Sequence, residues 1–343
     1  MKHTAVVLMV TVVALAGGTA YGTTTTGWIE YPGNPVYSPG KAYYPTILKE
    51  AGTYTMWSDS ASGLDMATST DGINWTSQGS VSGLTSPKHT LVERIGTDYR
   101  MWYWPALSYS INDIRTATST DGQTWSNDQA ITQVGSTVID NSSSSNWNRG
   151  SYGAADVIYN PSGSATITEP VDEASVWANK YVMYYDGTTG GDESLGLAVS
   201  NNGINWQGYN GGLAPVLAGT DNAGDWDEGY VSRATIIKDG PDDYHMWYSA
   251  GVGRMNEGIG YASSTDGINW VRDGSNPIFY KTDGEDWRSD RTYTPVVIGD
   301  EMWFTGKSGS GVYSIGYATP EPASMTLLAL GGLGVLWRRR RKG

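Results

Sequence analysis

The chain of 343 residues carries a formal net charge of −13 and contains no cysteine and only three histidines. An acidic surface repels nucleic-acid backbones and anionic lipid, so neither is an expected partner. The lack of cysteine excludes disulfides and thiolate metal sites. With so few histidines, a Ser-His-Asp triad or a multi-histidine metal centre is not expected either.

The first predicted element is a secretory signal peptide over residues 1–22. Lys2 and His3 precede an apolar run from Thr4 to Gly18, and small residues follow where a signal peptidase cuts. The run is too short for a membrane-spanning helix, and it ends in small residues. We therefore expect export, with signal peptidase as a processing partner.

Residues 23–319 contain an internal repeat, and such a repeat indicates the fold better than any single motif. A Met-aromatic pair recurs five times, at Met56-Trp57, Met101-Trp102, Met183-Tyr184, Met246-Trp247 and Met302-Trp303. A turn of the form Ser-x-Asp/Asn-Gly-x-x-Trp recurs four times, at residues 69–75, 119–125, 200–206 and 264–270. Alternating apolar residues around such turns predict short strands joined by tight connections. Five units of this kind predict an all-β fold, a five-bladed β-propeller.

The five predicted blades follow in chain order, with first strands at residues 43–48, 88–92, 153–159, 232–238 and 294–298. The third blade carries an insertion at 161–180. Residues 27–37 match 269–280 in the order Trp, charged residue, Gly, Asn-Pro and apolar residue, although no blade precedes them. The last repeat stops at 315–320 without a turn of its own. We expect residues 27–37 to pair with that strand and close the ring, because closure removes exposed sheet edges.

Residues 320–343 are predicted to be a separate segment for sorting or anchoring. A Pro-Glu-Pro motif is followed by an apolar run from Met325 to Trp337 and by a basic cluster from Arg338 to Lys342. This order closely resembles the PEP-CTERM sorting signal of Gram-negative bacteria. The resemblance implies recognition by a membrane exosortase, cleavage near the Pro-Glu-Pro, and delivery to the cell envelope, cell surface or extracellular matrix. Membrane contact is expected only through this tail, before processing.

The blade units resemble the five-bladed propellers of the arabinanase, levansucrase and invertase type, which include glycoside hydrolase families 43 and 32. The strands at 246–248 and 259–263 and the turn at 264–270 carry the resemblance. It implies a channel lined by the first strand of each blade, and a poly- or oligosaccharide ligand. Some propellers of this type hold Ca²⁺ in the channel, so Ca²⁺ is a possible cofactor, although no ligand spacing like that of an EF-hand loop occurs. No other cofactor is indicated.

The turn carboxylates Asp71, Asp121 and Asp266 resemble catalytic groups only superficially. Propeller connections alternate between two faces, and these turns lie on the face opposite to the channel mouth. Asn202 replaces Asp in the third copy. We therefore expect these side chains to accept hydrogen bonds within their own turns.

The channel-mouth face receives the starts of the first strands and the loops that follow the second strands. Glycoside hydrolysis needs two carboxyl groups, about 5.5 Å apart for retention and about 6.5–9.5 Å apart for inversion. The candidate catalytic residues on this face are Asp156, Asp186, Glu193, Glu228 and Glu257. The candidate substrate-binding residues are Tyr44, Lys88, His89, Trp104, Arg233 and Arg291. We expect one of Asp156, Asp186 or Glu193 to face Glu228 or Glu257 across the channel.

The chain departs from the family 43 pattern where an Asp directly precedes a Pro in the first inner strand, because it has Tyr44-Pro45 there. The aligned positions of the other blades are Lys88, Ala154, Arg233 and Thr294, none of them acidic. The leading interpretation is an exported, glycoside-hydrolase-like protein acting on envelope or environmental polysaccharide. The alternative is a non-catalytic glycan-binding or structural surface protein.

A third interpretation is a glycoside phosphorylase. Related propellers of family 130 hold phosphate with basic residues, and Lys88, His89, Arg233 and Arg291 are available here. Arg233 and Arg291 have a simpler alternative role, which is to neutralise the neighbouring Glu228 and Asp290.

Overall fold

The computed structural model describes residues 27–106, 114–135, 138–164, 167, 171–189, 191–252, 255, 257–282 and 286–320. The predicted signal peptide, and the predicted tail apart from Pro320, lie outside the described residues. Within the described ranges, no helix is long and apolar enough to cross a membrane.

The described residues form five sheets arranged as the blades of a propeller, which confirms the predicted all-β, five-bladed architecture. The strands are β1 (Trp28–Glu30), β2 (Tyr43–Glu50), β3 (Thr53–Asp59), β4 (Leu64–Ser69), β5 (Thr76–Ser80), β6 (Pro87–Ile95), β7 (Asp98–Pro105), β8 (Arg115–Ser119), β9 (Ser126–Ala130), β10 (Thr132–Gln133), β11 (Gly150–Tyr159), β12 (Tyr181–Thr188), β13 (Glu193–Ser200), β14 (Asn205–Gly208), β15 (Leu217–Ala218), β16 (Val231–Gly240), β17 (Asp243–Ala250), β18 (Gly258–Ser264), β19 (Val271–Arg272), β20 (Phe279–Tyr280), β21 (Arg291–Ile298), β22 (Glu301–Lys307) and β23 (Tyr313–Pro320). One short helix, α1 (Glu173–Val176), lies in the insertion of blade three, and a 3-10 turn spans Asn210–Gly212.

Each blade is a meander of antiparallel strands. Blade one contains β2 to β5, blade two β6 to β9, blade three β11 to β15, blade four β16 to β20, and blade five β21 to β23 with β1. Strand β10, which follows blade two, pairs in parallel with β14 and extends blade three. This short parallel pair joins two neighbouring blades along their outer edges.

The ring closes through β1, as the repeat at 27–37 predicts. Strand β1 pairs antiparallel with β23, with Trp28 opposite Pro320. The Asn34 side chain then accepts the N–H of Tyr317 and donates to its carbonyl, both at 2.9 Å. In blade four, Asn276 makes the same two bonds with Tyr261, both at 2.8 Å. The two Asn-Pro segments therefore match in sequence because they occupy equivalent outer positions.

Asn34→Ala should lower the free energy of unfolding by about 1–3 kcal/mol, because it leaves the part-buried N–H of Tyr317 without a partner. The Tyr317 carbonyl keeps the N–H of Tyr31. Asn276→Ala should cost a similar amount. The matched control is Asn269→Ala, whose exposed amide bonds only to Asp266 in its own turn. Chemical denaturation measures all three, and wild-type stability for Asn34→Ala would remove this residue from the closure.

The Met-aromatic pairs hold neighbouring blades together, and all ten of their side chains are fully buried. Trp57 Nε1 donates to the carbonyl of Gly122 in the next blade at 2.7 Å. Equivalent bonds join Trp102 to Gly203, Tyr184 to Gly267 and Trp303 to Gly72. Blade five lacks this turn, so Trp247 of blade four instead packs edge-on against Trp28, with ring centroids 6.4 Å apart. The closing strand thus fills the place of the missing turn.

The turn carboxylates have the structural role that the sequence predicts. Asp71 Oδ1 accepts the N–H groups of Asn74 at 2.7 Å and Ile73 at 2.9 Å. These bonds, led by those from Asn74, hold the pKa of Asp71 well below its usual range. Asp121 and Asp266 make the same pattern of bonds.

Candidate active site

A cavity of about 280 Å³ lies where the first strands of the five blades meet. Each of these strands, β2, β6, β11, β16 and β21, has a register shift at its mouth end. One residue at each shift has a positive φ, and these are Tyr44 (51°), His89 (51°), Gly153 (110°), Arg233 (44°) and Thr294 (51°). β-bulges re-aim side chains at functional sites. The five residues therefore form an equivalent ring at the channel mouth.

This ring corrects the sequence alignment of the first strands by one residue in two blades. His89 rather than Lys88, and Gly153 rather than Ala154, are the equivalents of Tyr44. Strand β11 has a second register shift, between Ala154 and Asp156. Because a bulge adds one residue to a strand, the ring residue of blade three lies one place earlier than the repeat predicts. In blade two, His89 keeps the spacing of the other blades, so Lys88 was misaligned. The corrected ring still contains no carboxylate.

The residue three places after each repeat methionine contacts the ring of the next blade. In four blades its side chain accepts a backbone N–H from a ring residue. These acceptor–donor pairs are Asp59 with His89 (3.1 Å), Asp186 with Arg233 (2.9 Å), Ser249 with Thr294 (2.8 Å) and Thr305 with Tyr44 (3.1 Å). In blade two the position is held by Trp104. This position in the repeat therefore has a structural role, because it joins neighbouring blades. Two carboxylates at the channel mouth, Asp59 and Asp186, occupy it.

Three predicted site residues, Arg233, Asp186 and Glu193, form what we call the Arg233 cluster. Arg233 Nε lies 2.8 Å from Asp186 Oδ2, and the two side chains are 9% and 0% exposed. Arg233 Nη2 also donates to the carbonyl of Tyr152 at 2.6 Å. Burial raises the pKa of Asp186, and the guanidinium opposes that rise. Since a buried ion must be paired, each of these two groups depends on the other.

Glu193 is the carboxyl group of the cluster that is suited to proton transfer. It is 7% exposed and hydrogen bonds with the side chains of Tyr230 and Ser232. Burial, and then the negative charge of Asp186, raise the pKa of Glu193 to about 7. A catalytic acid works best when its pKa lies near the working pH. Asp186 and Glu193 thus differ in role because only Asp186 is paired with a cation.

Aromatic rings surround the cluster on the side of blades one and two. The His89 ring lies 3.9 Å from that of Tyr44 and 5.3 Å from that of Trp104, measured between centroids. The Arg233 guanidinium lies 5.1 Å from the centroid of Tyr44. Burial, and then the charge of Arg233, hold the pKa of His89 well below its usual range, so His89 is neutral. Such apolar ring faces suit the flat faces of sugar rings.

Asp156 lies in the wall of the channel. Its Oδ2 accepts the N–H of Ile236 in blade four at 2.5 Å, and its Oδ1 accepts the N–H of Val157 at 2.8 Å. Burial raises the pKa of Asp156 to about 7. A neighbouring acid that sequence analysis missed, Glu93, also lines the cavity, and burial followed by the charge of Asp156 raises its pKa well above the usual value. Oδ2 of Asp156 thus joins blade three to blade four, while Oδ1 is held by the backbone of its own strand.

Glu228 and Glu257 have local partners. Glu228 Oε2 accepts the N–H of Gly224 in its own loop at 2.8 Å. Glu257 accepts the Tyr280 hydroxyl at 2.7 Å and pairs with Lys281. The structure therefore brings Asp186 together with Glu193, on one blade, and pairs Arg233 with Asp186 rather than with Glu228. The catalytic assignments of all five acids remain predictions.

The two remaining basic candidates, Lys88 and Arg291, differ in how many of their N–H donors are hydrogen-bonded within the protein. Lys88 Nζ donates to the carbonyls of Ser60 at 2.8 Å and Gly63 at 3.1 Å, and burial lowers the pKa of Lys88. Arg291 lies 3.8 Å from Asp290, and its Nη2 contacts Met255 Sδ at 3.1 Å. Lys88 therefore supports the loop after β3, whereas Arg291 keeps donors to spare.

Tyr152 and Tyr230, which were not among the predicted site residues, line the same site. Tyr152 directly precedes the ring residue Gly153, as Tyr43 precedes Tyr44 and Tyr293 precedes Thr294. This repeat of tyrosines becomes visible once the bulges are aligned. No group of three or more His, Asp or Glu residues able to hold a metal ion occurs among the described residues, and Ca²⁺ binding stays a prediction.

Sequence comparisons with known proteins bear on the C-terminal segment of the chain. A sequence comparison with curated proteins gives no match. A family profile for the PEP-CTERM protein-sorting motif matches residues 318–341.

Similar solved structures include glycoside hydrolases and a glycoside phosphorylase. A glycosyl hydrolase from Bacteroides ovatus has a TM-score of 0.59 at 16% identity, covering 88% of this chain and 96% of that one. A thermostable family-43 glycoside hydrolase has a TM-score of 0.56 at 16% identity, covering 83% and 91%. A β-1,2-mannobiose phosphorylase from Listeria innocua has a TM-score of 0.58 at 13% identity, covering 85% and 96%. At these identities the likeness concerns the fold. The chain is a five-bladed propeller that shares its fold with these proteins, and its residues 318–341 match the PEP-CTERM protein-sorting motif.

Proposed function

We propose that the chain is an exported, glycoside-hydrolase-like protein that acts on an oligosaccharide at the channel mouth, with Glu193 as the proton donor. One observation carries the proposal: Glu193 has a pKa raised to about 7 beside the buried Asp186–Arg233 ion pair. Pairs of acids whose surroundings give them different protonation states are typical of sites for acid–base catalysis. The aromatic rings of Tyr44 and Trp104 provide faces for a sugar on the adjoining wall.

The alternative, glycan binding without turnover, is favoured by a different observation. Asp186 is fully buried, and its oxygens face the backbone N–H and the side chain of Arg233. A carboxylate held in this way is not free to attack a sugar or to activate a water molecule. The phosphorylase alternative is weakened because Lys88 and Arg233, two of its proposed phosphate ligands, already bind protein acceptors.

A panel of polysaccharides, assayed in parallel for binding and for release of reducing ends, tests the proposal. The hydrolase hypothesis predicts release of reducing ends from at least one polysaccharide that binds. Binding without release supports the non-catalytic alternative. If the folded protein neither binds any polysaccharide nor releases reducing ends, a structural role is the remaining hypothesis.

The sorting motif indicates export and association with the cell surface or the extracellular space in Gram-negative bacteria. We propose that an exosortase cleaves the chain near Pro320-Glu321-Pro322, so the mature protein should lack Arg338–Lys342. Intact-mass analysis of protein extracted from the envelope tests this expectation. A mature mass that includes the basic cluster contradicts exosortase cleavage.

A further inference from the structure

Four cationic side chains gather on the mouth face, on the side of blades five, one and two. We call Lys41, Lys88, Arg291 and Lys307 the cationic patch. Lys41 Nζ lies 5.2 Å and 5.5 Å from the ring centroids of Tyr43 and Tyr313. Lys88 Nζ lies 5.4 Å from Tyr43, and Lys307 Nζ lies 5.6 Å from Tyr313. This concentration of positive charge stands out on a chain with a net charge of −13.

The patch places like charges opposite one another. Arg291 on β21 and Lys307 on β22 are directly paired residues, and Lys307 is paired in turn with Tyr313 on β23. Like charges in this cross-strand position destabilise a sheet. Asp290 offsets part of this repulsion, since its Oδ2 lies 2.5 Å from Lys307 Nζ and 3.8 Å from Arg291 Nε. Asp59 offsets part of the charge of Lys88 and Lys41 in the same way. Two carboxylates facing four cations leave the patch with net positive charge.

Two members of the patch have unused hydrogen-bond donors. Lys41 makes no ion pair with any described carboxylate, and its ammonium group lies over the two tyrosine rings. The Arg291 Nε is buried and has no hydrogen-bond partner among the described residues. Buried donors are normally satisfied. The Arg291 side chain as a whole is 25% exposed, so its outer N–H groups and the Lys41 ammonium are the donors that an oxyanion at the patch would meet.

The patch is continuous with the Arg233 cluster. The Tyr43 and Tyr313 rings lie 4.9 Å apart, Tyr43 lies 5.2 Å from Tyr44, and Tyr44 lies 3.9 Å from His89, measured between centroids. His89 in turn contacts Arg233. A row of aromatic rings therefore connects the cationic patch at one side of the mouth with the Arg233 cluster at the other.

We propose that the cationic patch binds an acidic group of the saccharide, so that the ligand is an anionic polysaccharide bearing carboxylate or sulfate groups. This inference rests on the proposed function. Lys41 and Arg291 donate to the oxyanion, Tyr43 and Tyr313 contact the sugar ring that bears it, and an adjoining sugar lies beside the Arg233 cluster. The negative charge elsewhere on the chain repels such a polymer and favours contact at the patch.

Binding of matched glycans to the full exported chain tests the proposal. Tetragalacturonate is compared by calorimetry with its fully methyl-esterified, neutral form. Dextran, carboxymethyl-dextran and dextran sulfate form a second series that separates carboxylate from sulfate. The charged ligand of at least one series should bind at least about tenfold more tightly than its neutral form, and Lys41→Gln and Arg291→Gln should each remove about tenfold of that affinity. Lys49→Gln, which removes the same charge from the other end of β2, should bind like the wild type.

The outcomes separate this inference from the proposed function. Equal binding of charged and neutral glycans overturns the anionic-ligand inference and leaves the glycan site intact. An equal loss of affinity in Lys49→Gln also overturns it, because net charge rather than the patch then explains binding. Failure of the folded protein to bind any glycan overturns the proposed function together with the inference. A preference for the sulfated or the carboxylated ligand supports the inference and identifies the acidic group.

Discussion

Replacing Arg233 with methionine should lower the free energy of unfolding by about 3–5 kcal/mol, since breaking a buried ion pair leaves an uncompensated charge. The Asp186 side chain is 0% exposed to solvent, so water does not replace the lost guanidinium. Asp186 then binds a proton more readily in the folded state. Its pKa, already raised by burial, rises further in the variant. The stability deficit should therefore grow as the pH rises above the ordinary range of an Asp side chain. Denaturant unfolding at pH 5 and pH 8 measures both effects.

The double variant Arg233→Met with Asp186→Asn is the matched control. It removes both charges, so it should recover part of the stability that the single variant loses. A single variant as stable as the wild type, or a double variant less stable by the sum of both single losses, contradicts the view that these two residues form one interdependent pair.

Replacing Glu193 with glutamine should reduce turnover by about 10²–10⁴-fold, the usual contribution of a general acid, while affinity for the glycan changes little. The wild-type rate should fall as the pH rises through about 7, because the donor must be protonated and the pKa of Glu193 lies there. This limb of the pH–rate profile should be absent from the residual activity of Glu193→Gln. Steady-state kinetics and calorimetry on the same preparations measure rate and affinity.

Glu228→Gln serves as the control for that substitution. It makes the same change to a mouth-side glutamate that accepts a hydrogen bond from its own loop, so turnover should stay within a few-fold of the wild type. If Glu228→Gln abolishes turnover and Glu193→Gln does not, the proton donor is misassigned.

The fold was predictable because it repeats. Each Met-aromatic pair is buried between blades and contacts the turn of the next blade, so the same residues recur wherever that contact recurs. The Asn-Pro segment at 34–35 was recognisable for the same reason, since Asn34 and Asn276 make identical bonds. Repetition exposes the requirements of packing without any knowledge of function.

The site was only partly predictable, because its contacts depend on bulges and on distant pairs. The sequence predicted Arg233, Asp186 and Glu193 as site residues. It also suggested an ion pair between Arg233 and Glu228, because these two residues are only five positions apart. Asp186 lies 47 residues away from Arg233 and reaches it because the end of β12 meets the start of β16 across the blade boundary. A second bulge in β11 also moves the ring residue of blade three by one place. Neither effect leaves a periodic signal in the chain.

The cationic patch illustrates a third limit. Its members come from the segment before β2 and from the mouth ends of β6, β21 and β22, which are far apart in sequence. Lys88 and Arg291 were each predicted as substrate-binding residues from the sequence. Lys41, Lys307 and Tyr313 join them in one patch only because the ring is closed. Without closure between the chain ends, blades one and five do not meet.

The most direct test of the central claim is a crystal structure of Glu193→Gln with a bound oligosaccharide taken from the polysaccharide that the wild type binds best. A glycosidic oxygen should lie within about 2.6–3.2 Å of the substituted side chain, with the sugar against Tyr44 and Trp104. A well-ordered saccharide on any other face of the propeller, or one at the mouth whose glycosidic oxygens all lie beyond reach of position 193, contradicts it.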